Sequence, residues 1–203
     1  MQHHDLTPAA DSAGRPFLTT MPDEILIALI AAQDKNAMRI LFTRHNVRVY
    51  RFLLRVLGDA ATAEDLVSEV FLDIWRHADR FESRSKVSTW ILAIARFKAA
   101  SARRRKSFEK LDEDTAASVA DTADDPEIAL QNKKCGAILR DCLQQLSPEH
   151  REILDLIYYH GQSIAEAARI VGVPENTVKT RAFHARKRIA QLMAVRGIDR
   201  IAI

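Results

Sequence analysis

The sequence predicts an all-α protein of two small helical domains joined by a flexible acidic linker. Three observations point there. After residue 20, apolar residues recur at helical spacing, at i, i+3 and i+4, with no stretch of strict alternation. Alanine, leucine, isoleucine, arginine and glutamate dominate, and only six glycines and six prolines interrupt 203 residues, which favours helix over sheet. Between residues 107 and 125 the aliphatic rhythm stops. Glu109, Asp112, Glu113, Asp114, Asp121, Asp124 and Asp125 stand there against a single Lys110, the mark of a solvated connection.

The first helix opens at Pro22-Asp23 and carries Ile25, Leu26, Leu29 and Ile30. A turn near Asp34 precedes a second helix, Lys35 to Leu57, with a stripe through Ile40, Leu41, Val47, Phe52 and Val56; Gly58-Asp59 ends it. Thr62 to Asp65 can cap a third helix reaching about Ala78. Its apolar face is Leu66, Val67, Val70, Phe71, Ile74 and Trp75, and its polar face Asp65, Glu69, Asp73 and Arg76. Phe81 to Ser88 is polar and aperiodic, hence a loop. Ser88 can cap a fourth helix from Thr89-Trp90 to the basic run Arg103, Arg104, Arg105 and Lys106.

Beyond the linker, a helix spans Pro126 to Leu146. Ser147-Pro148-Glu149 is a helix start, a capping serine followed by proline at the first helical position. That helix ends near Tyr159-His160-Gly161. Ser163 caps a short helix to Val171, Gly172-Val173-Pro174 turns, and the last helix runs from Glu175 to about Ala194. The expected units are therefore a tail at 1–20, a first domain at 21–106, the linker at 107–125 and a second domain at 126–203.

Several classes are set aside. The net charge of +3 says little about partners. Two cysteines, Cys135 and Cys142, lie about 10.5 Å apart along one helix, too far for a bridge between them. They read as small buried residues in a reducing cytoplasm, with a redox role as the lesser alternative. No apolar run reaches membrane-spanning length, so no membrane insertion is expected. The first twenty residues lack the basic start and apolar stretch of a signal peptide and read as a mobile tail. No phosphate loop, metal spacing or nucleophile constellation is present. His45, His77, His150 and His160 are scattered, so neither an enzyme nor a cofactor or metal site is expected.

Ser163 to Ile189 is the most informative segment. A short helix, a tight turn with glycine and a second helix full of cations make a helix-turn-helix, whose second helix enters the major groove of DNA. Periodicity places Val178, Ala182, Ala185 and Ile189 against the domain. Thr180, Arg181 and His184 are then candidates for base edges, with Asn176 in reserve and Thr177 beside it. Lys179, Arg186, Lys187 and Arg188 are candidates for phosphates. Phe183, on the same free face, can meet a thymine methyl, serve a protein contact or fold down on the domain; the sequence leaves these open.

The run Ile164 to Arg181 (IAEAARIVGVPENTVKTR), the basic Ala185 to Arg188 and the preceding Leu146 to Leu156 (LSPEHREILDL) resemble promoter-reading region 4 of small sigma factors. Ala63 to Arg76 (AEDLVSEVFLDIWR) resembles the polymerase-binding helix of sigma region 2, and Thr89 to Arg96 (TWILAIAR), leading to Arg103–Lys106, its minus-10 helix. The two regions occur in order, with a linker and no middle domain. The chain thus resembles an extracytoplasmic-function sigma factor over about Met21 to Met193. Some residues depart from the family's pattern. Phe97 replaces its usual asparagine, Ser101 a frequent aspartate, and the loop before Trp90 lacks the common glycine and aromatic.

The resemblance implies a region 2 bundle and a region 4 helix-turn-helix. It also implies binding to core RNA polymerase through the β′ clamp helices and the β flap, binding to promoter DNA, and control by an anti-sigma factor. Asp65, Glu69, Asp73 and Arg76, a plain solvent face by pattern alone, become the polymerase contact. The loop with Ser83, Arg84, Ser85 and Lys86 would capture an unpaired minus-10 base. Trp90 stands beside it, more a core residue than a stacking platform. Arg96, Lys98, Arg103, Arg104, Arg105 and Lys106 would hold the strand backbone. The acidic linker would lie near the nascent RNA or serve as a spacer. The alternative is a helix-turn-helix regulator acting without polymerase, which leaves Glu64 to Lys106 without a purpose.

Overall fold

The computed structural model describes residues 20–109 and 128–196, with side chains for 20–105 and 136–196. The tail, nearly all of the acidic linker, and the side chains of Lys106 and Cys135 lie outside the described residues. Among the described residues all regular structure is helical.

Helix α1 (Asp23–Ala31) begins after Pro22 with Asp23 and Glu24 in its first turn, where carboxylates complement the helix dipole. Helix α2 (Lys35–Leu57) is capped by the Asp34 side chain, which accepts from the N–H groups of Asn36 (2.7 Å) and Ala37 (3.2 Å). It ends at Gly58, whose φ of 72° is the left-handed geometry glycine adopts freely. Helix α3 (Ala60–His77) passes through a 3₁₀ turn (Ala78–Arg80) into the polar loop, and helix α4 spans Val87–Glu109. These four helices pack Leu26, Ile30, Leu41, Phe52, Val70, Ile74, Ile91 and Leu92 into one core.

In the second half, α5 (Ile128–Gln144) turns into α6 (Pro148–Leu154), capped by Ser147. One π-helical turn (Asp155–Tyr159) follows. Helix α7 (Ile164–Val171) carries a full capping box: Ser163 Oγ accepts from Glu166 N–H, and the Glu166 carboxylate accepts from Ser163 N–H at 2.8 Å. Gly172, with φ of 71°, makes the turn into α8 (Glu175–Ala194). Cys142, Leu146, Leu154, Ala185, Ile189 and Met193 form a second, smaller core.

Several boundaries differ from expectation. Helix α3 starts at Ala60, so Thr62 is not its cap; the Thr62 hydroxyl donates to the Asp59 carboxylate instead. Helix α4 starts at Val87, with the Lys86 carbonyl accepting from Thr89 and Trp90 N–H groups, so Ser88 lies inside it. The same helix continues to Glu109, three residues into the expected linker. Ile25 and Val47 are 46% and 53% exposed and lie off their stripes. The buried line of α2 is Ala37, Leu41, His45, Val49, Phe52 and Leu53. Its histidine hid the pattern, because a polar residue at a core position breaks a reading based on carbon alone.

Candidate nucleic-acid and polymerase interfaces

Burial sorts helix α8 into two faces. Val178, Ala182, Ala185, Ile189 and Met193 are buried, as their spacing required. Asn176, Lys179, Thr180, His184, Lys187 and Arg188 are exposed, and Thr177, Arg181 and Arg186 half-buried. Asn176, Thr177, Thr180 and Arg181 line an open depression on the first half of the helix. Thr180 spends its hydroxyl proton on the Asn176 carbonyl at 2.9 Å, leaving its oxygen free to accept. Arg186 donates to the Tyr158 hydroxyl at 3.3 Å. Phe183 is 55% exposed and meets His184 edge-on at 5.5 Å, so it does not fold down on the domain.

On α3, Asp65 and Arg76 are exposed. Glu69 and Asp73 share one partner, the Lys98 ammonium of α4, at 3.3 and 2.8 Å. The hydrogen bond that the Lys98 ammonium donates to Asp73 raises the Lys98 pKa above its ordinary value; burial opposes this and Glu69 adds to it. The Lys98 ammonium therefore braces the acidic face of α3.

The polar loop exposes Ser83, Arg84 and Lys86 and half-buries Ser85. Ser83 has a φ of 52°, a left-handed conformation unusual for a residue with a Cβ. Trp90 is half-buried against Phe81, ring centroids 5.2 Å apart, which places it with the core. Arg103, Arg104 and Arg105 are exposed.

A seam between the two halves engages several of these residues. Arg96 Nε donates to Glu152 at 2.8 Å, Lys86 pairs with Glu166 at 3.0 Å, and Arg169 donates to the Arg84 carbonyl at 2.9 Å. From α2, Arg55 reaches Asp155 at 2.8 Å while lying 3.8 Å above the Tyr159 ring, and Arg48 donates to the His160 carbonyl. Thr89 donates to the Gln162 side chain at 3.0 Å. His160 is buried, 3.1 Å from the Asp155 carboxylate and edge-on to Phe52.

Nothing in the sequence pattern announces this seam. Its members are single polar residues spread over several helices and loops, and only their partners across the seam identify them. Glu152 and Asp155 lay within the segment preceding the helix-turn-helix without standing out, Gln162 belonged to no motif, and His160 looked like one scattered histidine among several. The seam also replaces an expectation: a flexible linker left the placement of the domains open, whereas here they pack together.

Two matches fit this geometry. Residues 41–109 match Sigma-70 region 2, and residues 136–189 match Sigma-70 region 4. The bundle with its polar loop and the helix-turn-helix thus define an RNA polymerase sigma factor with regions 2 and 4. The relatives include SigL of Mycobacterium tuberculosis, an ECF RNA polymerase sigma factor, 32% identical over 174 residues, which are 84% of this chain and 96% of SigL. CarQ of Myxococcus xanthus, an RNA polymerase sigma factor, is 33% identical over 165 residues, 80% of this chain and 91% of CarQ. The chain belongs to the ECF RNA polymerase sigma factors.

Among solved structures, sigma factor RpoE of Bartonella quintana, in complex with the anti-sigma factor NepR, matches with a TM-score of 0.66 and 26% identity. It covers 77% of this chain and 96% of RpoE. CnrH, in complex with the cytosolic domain of CnrY, shares the fold with a TM-score of 0.62 at 21% identity, over 85% of this chain and 97% of CnrH. Among the described residues no helix is long and apolar enough to cross a membrane, and no cluster of potential metal ligands forms.

Proposed function

We propose that this sigma factor divides promoter recognition between its two halves. Helix α8 reads the minus-35 element from the major groove, with Asn176, Thr177, Thr180, Arg181 and His184 facing bases and Lys179, Arg186, Lys187 and Arg188 facing phosphates. The loop Ser83–Lys86 and the exposed arginines of α4 capture and hold the melted minus-10 strand. Asp65, Glu69, Asp73 and Arg76 dock on the β′ clamp helices, and region 4 on the β flap. The protein acts in the cytoplasm, without catalysis of its own, and an anti-sigma factor controls it.

The observation that carries this reading is the sorting of α8, which buries Val178, Ala182, Ala185, Ile189 and Met193 on one side and leaves amides, hydroxyls and cations on the free face. The seam adds a condition. Arg96, Lys86 and the Arg84 carbonyl are engaged by region 4, so capture of the minus-10 strand requires the two regions to part.

Run-off transcription with purified bacterial core polymerase, with and without the protein, on fragments of the source genome tests the proposal. Start-site-specific transcripts that need the protein are expected. No transcripts together with no complex with core on gel filtration would leave a helix-turn-helix regulator that acts without polymerase.

A further inference from the structure

Helix α4 carries an exposed aromatic ring that no motif explains. Phe97 is 65% exposed. The buried residues Ile91, Leu92, Ala95 and Ala99 define the core side of the helix, and at 100° per residue Phe97 projects from the opposite side. Its neighbours one turn away are Ala93, Ile94, Ala100 and Ser101, and they leave most of the ring open. Ser101 accepts from Arg104 at 3.4 Å, two turns along the same face. Arg103 and Arg105 flank that arginine and are also exposed.

The side chains on either side of Phe97 are both committed. Arg96 is tied to Glu152, and Lys98 to Glu69 and Asp73. Phe97 is therefore an exposed ring followed along the helix by a hydroxyl and three guanidinium groups, the chemistry that meets unpaired bases and phosphates. Trp90, beside the loop, is packed against Phe81, in keeping with its reading as a core residue.

We infer that Phe97 is a stacking platform for one unpaired base of the minus-10 strand, with Arg103, Arg104 and Arg105 holding the phosphates downstream of it. This rests on the reading of α4 as the minus-10 surface. An aromatic face accepts any base, because every base presents a π-face, and the cations supply attraction independent of sequence. The site fixes where a base is extruded and leaves base choice to the loop.

The test uses holoenzyme assembled from core polymerase and the full chain, on a promoter found by run-off transcription. Phe97→Ala is expected to shorten the lifetime of heparin-resistant open complexes about tenfold, the effect of losing one good base–aromatic stack. Phe97→Trp is expected to preserve the lifetime and Phe97→Leu, which keeps apolar bulk without a ring face, to lose it. With 2-aminopurine placed at successive minus-10 positions of the non-template strand, one position is expected to be quenched by the wild type and to brighten with Phe97→Ala.

Equal lifetimes for the alanine variant and the wild type, or full rescue by leucine, would overturn the stacking role while leaving the minus-10 surface intact. Wild-type holoenzyme that binds core yet forms no open complex on any fragment would overturn the reading of α4 itself, and the stacking role with it.

Discussion

Two carboxylates show how single residues tie this fold together. Asp23, at the start of α1, accepts from His45 Nε2 at 2.7 Å and from Arg44 at 2.6 Å. The histidine hydrogen bond is the main reason its pKa lies below the ordinary value; burial works against it and Arg44 assists. Glu166 is lowered chiefly by the hydrogen bond from the Ser163 backbone, again against burial, with help from Lys86. As pH falls, the unfolded chain takes up protons at these sites before the folded one does. The stability they contribute is whole above the ordinary carboxylate range of about 3.9 to 4.3 and drains as pH drops through the lowered folded values. Thermal unfolding followed from pH 6 to pH 3 is expected to show a steep loss below that range. It should be shallower in Asp23→Asn and Glu166→Gln; unchanged slopes in both variants would remove these residues from the account.

At the scale of the element, the helix-turn-helix depends on its cap and its turn. Ser163→Ala removes one half of the capping box and is expected to cost about 1 kcal/mol. Gly172→Ala places a Cβ at a φ of 71° and is expected to cost about 1 kcal/mol. Nothing lies within 4 Å of that Cβ, so the loss comes from backbone conformation and not from a clash. Urea unfolding checks both. On the free face of α8, Lys187→Ala is expected to weaken binding to all duplexes alike and to reduce the salt slope by about 1. Arg181→Ala is expected to cost about 1–3 kcal/mol on the cognate minus-35 duplex and to relax base preference at one position. Fluorescence anisotropy over a salt series separates the two behaviours.

These elements were readable in the sequence to different depths. The buried line of helix α8 was legible residue by residue, because the helix packs on one side only and its cations fall on the other; Phe183, on the free face, was the position left open. Ser147 and Ser163 declared their helices because cap chemistry is local. Thr62 and Ser88 misled for the same reason: each can cap a helix, but at both places the backbone begins to coil earlier, and the capping pattern says nothing about that. The position of Lys98 was invisible, since a lysine beside arginines looks like one more cation until its two carboxylate partners appear on another helix. The exposure of Phe97 was equally hidden, because a phenylalanine in a helix is read as core by default.

For the whole molecule the seam is the decisive feature. Its ionic members have unequal weight. Lys86 is 73% exposed on its side chain, and such pairs contribute little. Asp155 is buried, so removal of Arg55 leaves a carboxylate with weakened compensation in an apolar setting. The double variant Arg48→Ala/Arg55→Ala is expected to loosen region 4 from region 2. Energy transfer between dyes on exposed sites of the two regions should fall, and core polymerase should bind more tightly, because a larger share of molecules already has its binding surfaces free. Unchanged transfer efficiency with unchanged affinity would show that the polar seam does not hold the regions together.

The joint closes over carbon as well as charge. Ile153, Leu156, Ala167 and Ile170 of region 4 belong to the same buried cluster as Phe52, Ile91 and Leu92 of region 2. Parting the regions therefore wets apolar surface, and wetting apolar surface raises heat capacity. Such a clasp weakens on cooling, when water accepts hydrocarbon at less cost. Its grip follows a curve with a maximum, so the share of open molecules rises on the cold side as well as the hot. Temperature alone, with no ligand or modification, would thus reset how much of this sigma factor stands ready for polymerase.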